Sequence, residues 1–329
     1  MGKKDLFAYC LVVLFLVFTA ISSTVLCAFA TDRNGKIGYE QLDYNCYEVL
    51  FVDETHGFIS GKAGSFFSTD DGGKTWLKKE TGTKDSIFSL SFLNKDKGWA
   101  VGQCGLILAT EDGGKSWTRQ KAPLENHFFA VKFTDELHGV ACGDWGKIIL
   151  TEDGGKTWAD VSLEDDIMLY CIDFIDKNEG CIGSEMGFIY HTTDGGKTWE
   201  MQDVGLGRTF FGIAFDPQNK GSGLAVGMEG VAVSTENGGK TWEELPGIGA
   251  SVFNVSFFNE TALAVGESAS IFASDTKGRK WKQVDAPLSM KHIWYQGVSR
   301  ISENKYLIAG AVGSLLFINN FDVVKRNSR

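Results

Sequence analysis

One octapeptide recurs along the 329-residue chain at a nearly constant interval, and this recurrence limits the fold more than any other feature. It reads TEDGGKTW at 151–158, and five related copies end at other tryptophans. The closing residues are Trp76, Trp117, Trp158, Trp199, Trp242 and Trp281, which lie 41, 41, 41, 43 and 39 residues apart. Because a motif repeated at a fixed period marks one supersecondary unit built many times, the chain consists of repeats of about 41 residues.

Each repeat contains short apolar segments separated by turn residues. In the copy at 127–158, FFAVKF, VACG and KIILT are rich in β-branched and aromatic residues, and a fourth segment begins at the closing tryptophan. With no helical period, the pattern predicts four antiparallel strands per repeat, as in a propeller blade. Six repeats carry the octapeptide, and a seventh after Trp281 lacks it. The sequence therefore predicts an all-β protein, a seven-bladed β-propeller of four-stranded antiparallel blades.

The predicted propeller is a single domain at 31–329. Its blades are expected at about 45–79, 86–120, 127–161, 168–202, 209–245, 251–284 and 291–324. The ring must close, because an open edge strand would leave unpaired backbone groups. We expect the segment 36–42 to add the outermost strand of the last blade, with FDVV at 321–324 as the alternative.

The octapeptide has the composition of a tight turn. The Asp153 carboxylate can accept hydrogen bonds from the backbone N–H groups of its own turn, the two glycines tolerate positive φ, and the tryptophan can pack between blades. In the fifth copy Asn237 replaces the aspartate, and in the sixth Thr276 does. A redundant turn tolerates such replacements, whereas a shared catalytic residue would not. The predicted structural residues are Asp71, Asp112, Asp153, Asp194, Asn237 and the six closing tryptophans.

The motif S/T-x-D-x-G-x-T-W resembles the Asp-box, or bacterial neuraminidase (BNR) repeat, in six copies. The density of boxes and the GWAVG…DGGKTW layout are similar to the photosystem II stability and assembly factor-like propellers, over about 46–324. The resemblance implies that the boxes lie at the rim, between the third and fourth strands and away from any active site. It also implies an extracytoplasmic factor that holds a protein partner, such as a membrane-protein segment, during assembly.

Candidate binding residues belong to the opposite face, where the second and third strands are joined and each first strand begins. They are Gln103, Asp144, Trp145, Glu185, Arg208, Glu229 and Glu267, with the aromatic residues Phe88, Phe129, Tyr170, Phe211, Phe253 and Trp294 just inside. Short connections leave no room for a lid or inserted catalytic loop, which favours a non-catalytic binding propeller. The alternative is a secreted glycoside hydrolase or glycan-binding propeller that uses two of the carboxyl groups. A sialidase is disfavoured, because too few arginines remain to clamp a carboxylate.

The first thirty residues differ from the rest. A basic start, an apolar run at 6–26 and the small residues Ala28 and Ala30 predict a signal peptide or a membrane anchor. The positive-inside rule then places the remainder at the periplasmic or extracellular face, either soluble after cleavage or anchored at its N-terminus.

The net charge of the chain and the spacing of its cysteines limit the classes of partner and ligand that we expect. The net charge of -10 argues against a nucleic-acid partner and favours a neutral or basic protein surface. Five cysteines follow residue 30 without zinc-site spacing, and we expect most to be small buried hydrophobes, with a Cys171–Cys181 disulfide as the alternative. We expect a monomer without cofactor or metal.

Overall fold

The computed structural model describes Leu42, Tyr44, residues 45–286 and 292–320, and the backbone of residues 322 and 323. In this part of the chain, seven four-stranded sheets follow one another, and each sheet keeps its strands in chain order. All strand pairs are antiparallel, and the first strands of neighbouring sheets contact one another around a closed ring. The predicted seven-bladed, all-β propeller is confirmed, and the helical elements among these residues are short 3-10 turns.

The strands of blades 1 to 4 are β1 Cys46–Phe51, β2 Gly57–Gly61, β3 Phe66–Thr69, β4 Leu77–Lys79, β5 Ile87–Phe92, β6 Gly98–Gly102, β7 Ile107–Thr110, β8 Thr118–Arg119, β9 Phe128–Phe133, β10 Gly139–Gly143, β11 Ile148–Thr151, β12 Ala159–Asp160, β13 Leu169–Phe174, β14 Gly180–Ser184, β15 Phe188–Thr192 and β16 Glu200–Asp203. Those of blades 5 to 7 are β17 Phe210–Phe215, β18 Gly223–Gly227, β19 Ala232–Thr235, β20 Glu243–Glu244, β21 Val252–Phe258, β22 Thr261–Gly266, β23 Ile271–Ser274, β24 Lys282–Gln283, β25 Tyr295–Ser302, β26 Lys305–Gly310, β27 Leu315–Asn319 and β28 Asp322–Val323.

The core lies between blades rather than in one central mass. Every residue of the second strand is buried in blades 1 to 5, because this strand has a neighbour on each side and a blade on each face. One apolar cluster, for example, joins Val140 and Ile148 of blade 3 to Ile172 and Ile182 of blade 4. The short outer strands β8, β12, β20 and β24 are exposed. Burial therefore decreases from the middle of each blade to its outer edge.

The last blade is completed from its own C-terminal side. The strand β28 pairs with β27, with Val323 opposite Ile318 and Asp322 opposite Asn319. The expectation that 36–42 forms this outermost strand is therefore wrong, and the alternative at 321–324 contains it. The turn after Asn319 lets the chain double back at once, whereas residues 36–41 lie outside the described residues. Blade 7 meets blade 1 through side chains, since the Phe51 N–H donates to Ser299 Oγ at 2.9 Å and the Val312 N–H donates to Asn45 Oδ1 at 3.0 Å.

The octapeptide turns follow the third strands and fold around one carboxylate. In the third copy, Asp153 Oδ1 accepts the Thr157 N–H at 2.9 Å and the Thr151 hydroxyl at 2.9 Å, while Oδ2 accepts the Thr157 hydroxyl at 2.6 Å. The Thr151 Oγ1 in turn accepts the Gly155 N–H at 2.8 Å. In the fifth copy, Asn237 Oδ1 accepts the equivalent N–H, and its amide donates to the equivalent hydroxyl. The amide thus keeps the geometry that the aspartate holds elsewhere.

The five cysteines of the described part of the chain are free, so the alternative of a Cys171–Cys181 disulfide is wrong. The strand register explains this, because Cys171 lies opposite Gly183 and Cys181 lies opposite Asp173, two residue pairs away. Four of the five are buried, as expected, and Cys104 is exposed. Burial raises the pKa of the Cys46 and Cys171 thiols to about 12.

We expect Cys104 alone of these five to react quickly with a thiol reagent at neutral pH, because the buried thiols are neither ionised nor accessible. Peptide mapping by mass spectrometry before and after denaturation measures this directly. A Cys104→Ser variant should lose one rapidly labelled site and keep its thermal stability. Rapid labelling of Cys142 or Cys181 in the native protein would contradict the burial described above.

Candidate functional site

The turns that connect the second and third strands lie at the face opposite the octapeptide turns, because antiparallel strands place successive turns at opposite ends. They are Lys62–Gly64, Gln103–Gly105, Asp144–Gly146, Glu185–Gly187, Met228–Gly230, Glu267–Ala269 and Ala311–Gly313. The middle residue of each turn has a left-handed backbone, with φ from 50° at Ser268 to 63° at Met186. This conformation costs a non-glycine residue about 1 kcal/mol or more, yet every blade uses it.

The left-handed residues form an exposed ring that we call the crown. Its members are Ala63, Cys104, Trp145, Met186, Glu229, Ser268 and Val312. Three of them are large and apolar, with exposed fractions of 44% for Trp145, 61% for Met186 and 57% for Val312. Trp145 and Met186 stand on neighbouring blades. These exposed apolar side chains make the crown the candidate binding surface of the propeller.

In four blades, the side chain of the first residue in the turn between the second and third strands accepts a hydrogen bond from the backbone of the same blade. Asp144 Oδ1 accepts the His127 N–H at 3.1 Å, Glu185 Oε1 accepts the Met168 N–H at 3.1 Å, and Glu267 Oε1 accepts the Ser251 N–H at 3.2 Å. Gln103 Oε1 makes the same bond to the Ser86 N–H at 3.4 Å. Burial raises the pKa of Glu185, although the bond from Met168 opposes this. Four candidate binding residues of the sequence thus bind the backbone at the start of their own first strand.

Two further candidates are brought together on the crown face. Arg208 Nε donates to Glu229 Oε2 at 3.0 Å, and both side chains are exposed. An exposed pair of this kind contributes little to stability, so its charges remain open to a partner. In the described residues, no group of three or more His, Cys, Asp or Glu side chains could hold a metal ion.

An aromatic ring lines the entrance to the central channel beneath the crown. Successive first strands contribute Tyr47, Phe88, Phe129, Tyr170, Phe211 and Phe253, whose neighbouring ring centroids are 5.6, 5.9, 5.9, 5.1 and 5.8 Å apart. In blade 7, Trp294 stacks on Tyr47 with ring centroids 6.1 Å apart, while Gln296 occupies the strand position that is aromatic in the other six blades. Tyr47 was not among the predicted aromatic residues, although it occupies the same strand position as Phe88. Aromatic faces in such a ring favour contact with apolar or extended chain segments.

The channel itself carries charges that the sequence analysis did not single out. Its cavity has a volume of about 480 Å³ and is lined by Glu48, Lys132, Asp173 and Arg300 among others. Lys132 Nζ lies 2.7 Å from Asp173 Oδ1, and Asp173 Oδ2 accepts the Phe215 N–H of the next blade at 2.8 Å. Burial raises the pKa of Glu48 to about 8, although the Val49 backbone and the charge of Lys132 oppose this shift. In the sequence, these channel charges could have been found as charged residues, such as Lys132 and Asp173, within otherwise apolar first strands.

A match to a family profile shows to which protein family this chain belongs. The profile described as Photosynthesis system II assembly factor YCF48 matches residues 36–122, 117–205 and 197–292. The chain belongs to this YCF48 family. Among curated proteins, a sequence comparison finds no match.

Solved structures agree with the family in fold. A structure of YCF48 bound to D1 peptide is 22% identical over 84% of this chain and 94% of that chain, with a TM-score of 0.69. YCF48 from Cyanidioschyzon merolae is 18% identical over 87% and 98%, with a TM-score of 0.68. An ancestral GH74 enzyme is 14% identical over 83% and 44%, with a TM-score of 0.62. At these identities the similarity concerns the propeller fold alone.

Proposed function

We propose that this YCF48-family propeller is a non-catalytic, extracytoplasmic assembly factor that binds a segment of a membrane protein at the crown and the aromatic ring. The observation that carries the proposal is the position of Trp145 and Met186, two exposed apolar side chains in the turns of blades 3 and 4, whose first strands contribute Phe129 and Tyr170 to the aromatic ring. A relative of the same fold is described as bound to D1 peptide, which supports a peptide ligand.

The charge of the face indicates the chemistry of the partner. The loop of residues 162–168 packs beside the turn that carries Trp145, since the Leu163 N–H donates to the Gly146 carbonyl at 2.9 Å. This loop exposes Glu164, Asp165 and Asp166 to solvent. An acidic surface around apolar anchors suits a segment that is basic or neutral, with an apolar side chain to insert.

The proposal also includes a location of the protein outside the cytoplasm. The predicted signal or anchor at 1–30 lies outside the described residues. Within the described residues, no helix is both long enough and apolar enough to cross a bilayer. The proposal therefore rests on the basic start and apolar run of the sequence for placement outside the cytoplasm.

The double variant Trp145→Ser, Met186→Ser tests the proposed binding face. Crosslinking in the native cells should capture a membrane protein with the wild type, and mass spectrometry should identify the crosslinked segment. A synthetic peptide of that segment should bind the double variant at least about 30-fold more weakly than the wild type, because buried apolar anchors dominate such interfaces. Isothermal titration calorimetry measures both affinities.

A matched control uses two equally exposed apolar residues away from this face. Leu137 is in the turn between β9 and β10, and Met201 is on the outer strand β16, with exposed fractions of 51% and 50%. The variant Leu137→Ser, Met201→Ser should bind as the wild type does. Equal binding by all three proteins would contradict the proposed face. Release of reducing sugars by the wild type, abolished in Glu185→Gln, would favour the glycoside hydrolase instead.

A further inference from the structure

The first strand of blade 7 differs from those of the other blades in its register. Strand β25 has eight residues where β1, β5, β9, β13 and β17 have six, and its ladder with β26 shifts between Arg300 and Ser302. Arg300 is the last residue before this shift and lies opposite Tyr306, and it lines the channel. Ile301, which the shift leaves unpaired, joins the apolar core with Phe51. The first strands of the other six blades have a phenylalanine at the position of Arg300.

The Arg300 guanidinium has an aromatic neighbour but no acceptor. Its central carbon lies 3.4 Å from the centre of the Phe258 ring. Among the described residues, its Nε is shielded from solvent and has no hydrogen-bond partner, and no carboxylate lies within ion-pair distance of the guanidinium. A buried donor in a folded protein nearly always has an acceptor, and a bound ion or an ordered water is a common partner for one that has none within the protein.

A cavity of about 400 Å³ opens beside this arginine, and we call it the Arg300 cavity. It is lined by Gln218, Phe258, Asn259, Arg300 and Glu303. Its residues come from the ends of the first strands and the turns that follow them in blades 5, 6 and 7, so it lies at the face opposite the crown. Volumes of this size are common for small-molecule sites.

One carboxylate, that of Asp216, fixes the backbone of Gln218 and Asn259, the two residues that contribute amide side chains to the cavity. The buried carboxylate of Asp216 accepts the Gln218 N–H through Oδ1 and the Asn259 N–H through Oδ2, each at 2.9 Å. One side chain therefore fixes the backbone of two loops from neighbouring blades. Fixed loops present their amide groups with little loss of entropy on binding. The carboxylate that lines this cavity belongs to Glu303, which is exposed.

We propose that the Arg300 cavity binds a small oxyanion, the head group of a carboxylate or a phosphate ester. The planar guanidinium supplies two parallel donors that match two oxygens of either head group. The Phe258 ring holds the guanidinium in place, and the amides of Gln218 and Asn259 add neutral donors. This site is separate from the crown and does not depend on the proposed function.

Arginine side-chain NMR tests the site on the full-length protein. The sequence contains seven arginines, so a sample labelled with ¹⁵N-arginine gives a simple Nε–Hε spectrum, in which Arg300→Gln identifies the Arg300 signal. Sodium phosphate and sodium acetate are titrated separately at constant ionic strength, with sodium chloride as the reference. We expect the Arg300 signal to move saturably with phosphate, acetate or both, and not with chloride. The arm that responds identifies the head group.

Variants make the test quantitative by calorimetry with the anion that responds. Arg300→Gln should bind about tenfold or more weakly, because a charge-assisted pair is lost, and Arg300→Lys should be intermediate. Glu303→Gln should bind a few-fold more tightly, since a like charge is removed. Arg279→Gln, at an exposed arginine 3.8 Å from Glu243, is the matched control and should bind as the wild type does.

The inference is overturned if the Arg300 signal moves no more than that of Arg279 in all titrations, or if Arg300→Gln binds as tightly as the wild type. If Arg300→Gln does not fold, Arg300→Lys identifies the Arg300 signal, and the wild-type titrations and Glu303→Gln decide the question. Changes at the crown, such as Trp145→Ser, should leave anion binding unaltered.

Discussion

Replacing Asp71, Asp112, Asp153 and Asp194 together by alanine is expected to lower the free energy of unfolding by roughly 4 to 8 kcal/mol at pH 7. Each carboxylate accepts two hydroxyl groups of its turn and one backbone N–H, or two backbone N–H groups in the case of Asp71, and losing it costs about 1 to 2 kcal/mol. The four turns are in different blades, so their effects should add. This loss approaches the whole stability of an ordinary domain.

The matching asparagine variant should remain folded. Asn237 already makes the same bonds in blade 5, with its Oδ1 3.0 Å from the Thr241 N and its Nδ2 2.9 Å from the Thr241 hydroxyl. Urea denaturation followed by circular dichroism measures both variants. A control at the preceding exposed positions, Asp70, Glu111 and Glu152 to alanine, should cost about 1 kcal/mol or less in total, because surface pairs contribute little. Equal stability of the alanine and wild-type proteins would show that the turns do not support the fold.

At low pH, the wild-type protein with its four turn aspartates should lose more stability than the asparagine variant. Hydrogen bonds from the side chains and backbone of Ser116 and Thr157 lower the pKa of Asp112 and Asp153 to about 2. For Asp71 and Asp194, burial raises the pKa, but the bonds from Thr75 and Thr198 outweigh it and the net shift is downward.

Because the folded pKa is below the unfolded value of about 3.9, this stabilisation is complete above about pH 5 and is lost as the pH falls towards 2. The asparagine variant should therefore show a flatter stability profile between pH 5 and pH 2. An identical slope in the two proteins would assign the acid sensitivity to other carboxylates, such as Asp53 and Asp135, whose pKa is also lowered.

The repeat explains why the fold was readable from the sequence. A fixed period near 41 residues gives the blade, and the same strand position in each copy gives the aromatic ring from Phe88 to Phe253. Deviations from the repeat were harder to interpret. Arg300 replaces the phenylalanine that the other six blades have at this strand position, and this replacement is visible in the sequence. The contact of its guanidinium with Phe258 and its unpaired Nε depend on the packing of two blades, which the sequence does not contain.

The candidate binding carboxylates show a second limit. Asp144 and Glu185 were placed on the correct side of each blade, but their bonds to the backbone of the preceding loop depend on how close two loops approach. Sequence spacing contains no such distance. The crown residues that remain free to contact a partner, Trp145 and Met186 above all, are distinguished by a left-handed backbone that turns them outward, and this conformation is visible only in the structure.

Removing Trp99 is the largest single-residue change that we expect in the core. Its side chain is 1% exposed and stacks on Phe133 of the next blade, with ring centroids 3.5 Å apart and planes 5° apart. Its Nε1–H donates to the Gly154 carbonyl in the octapeptide turn of that blade at 3.1 Å. Trp99 therefore joins blade 2 to both the core and the turn of blade 3.

Trp99→Ala should lower the free energy of unfolding by about 3 to 5 kcal/mol, because a large cavity opens between two blades. Trp99→Phe should cost far less, since it keeps a ring against Phe133, and the Gly154 carbonyl retains the bond from Gln120 at 3.2 Å. Leu77→Ala, at a residue that is 56% exposed, is the control and should change stability by about 0.5 kcal/mol or less. Calorimetric unfolding of the three variants measures these differences. If Trp99→Ala were no less stable than Leu77→Ala, the contact between blades would not be what holds this part of the ring together.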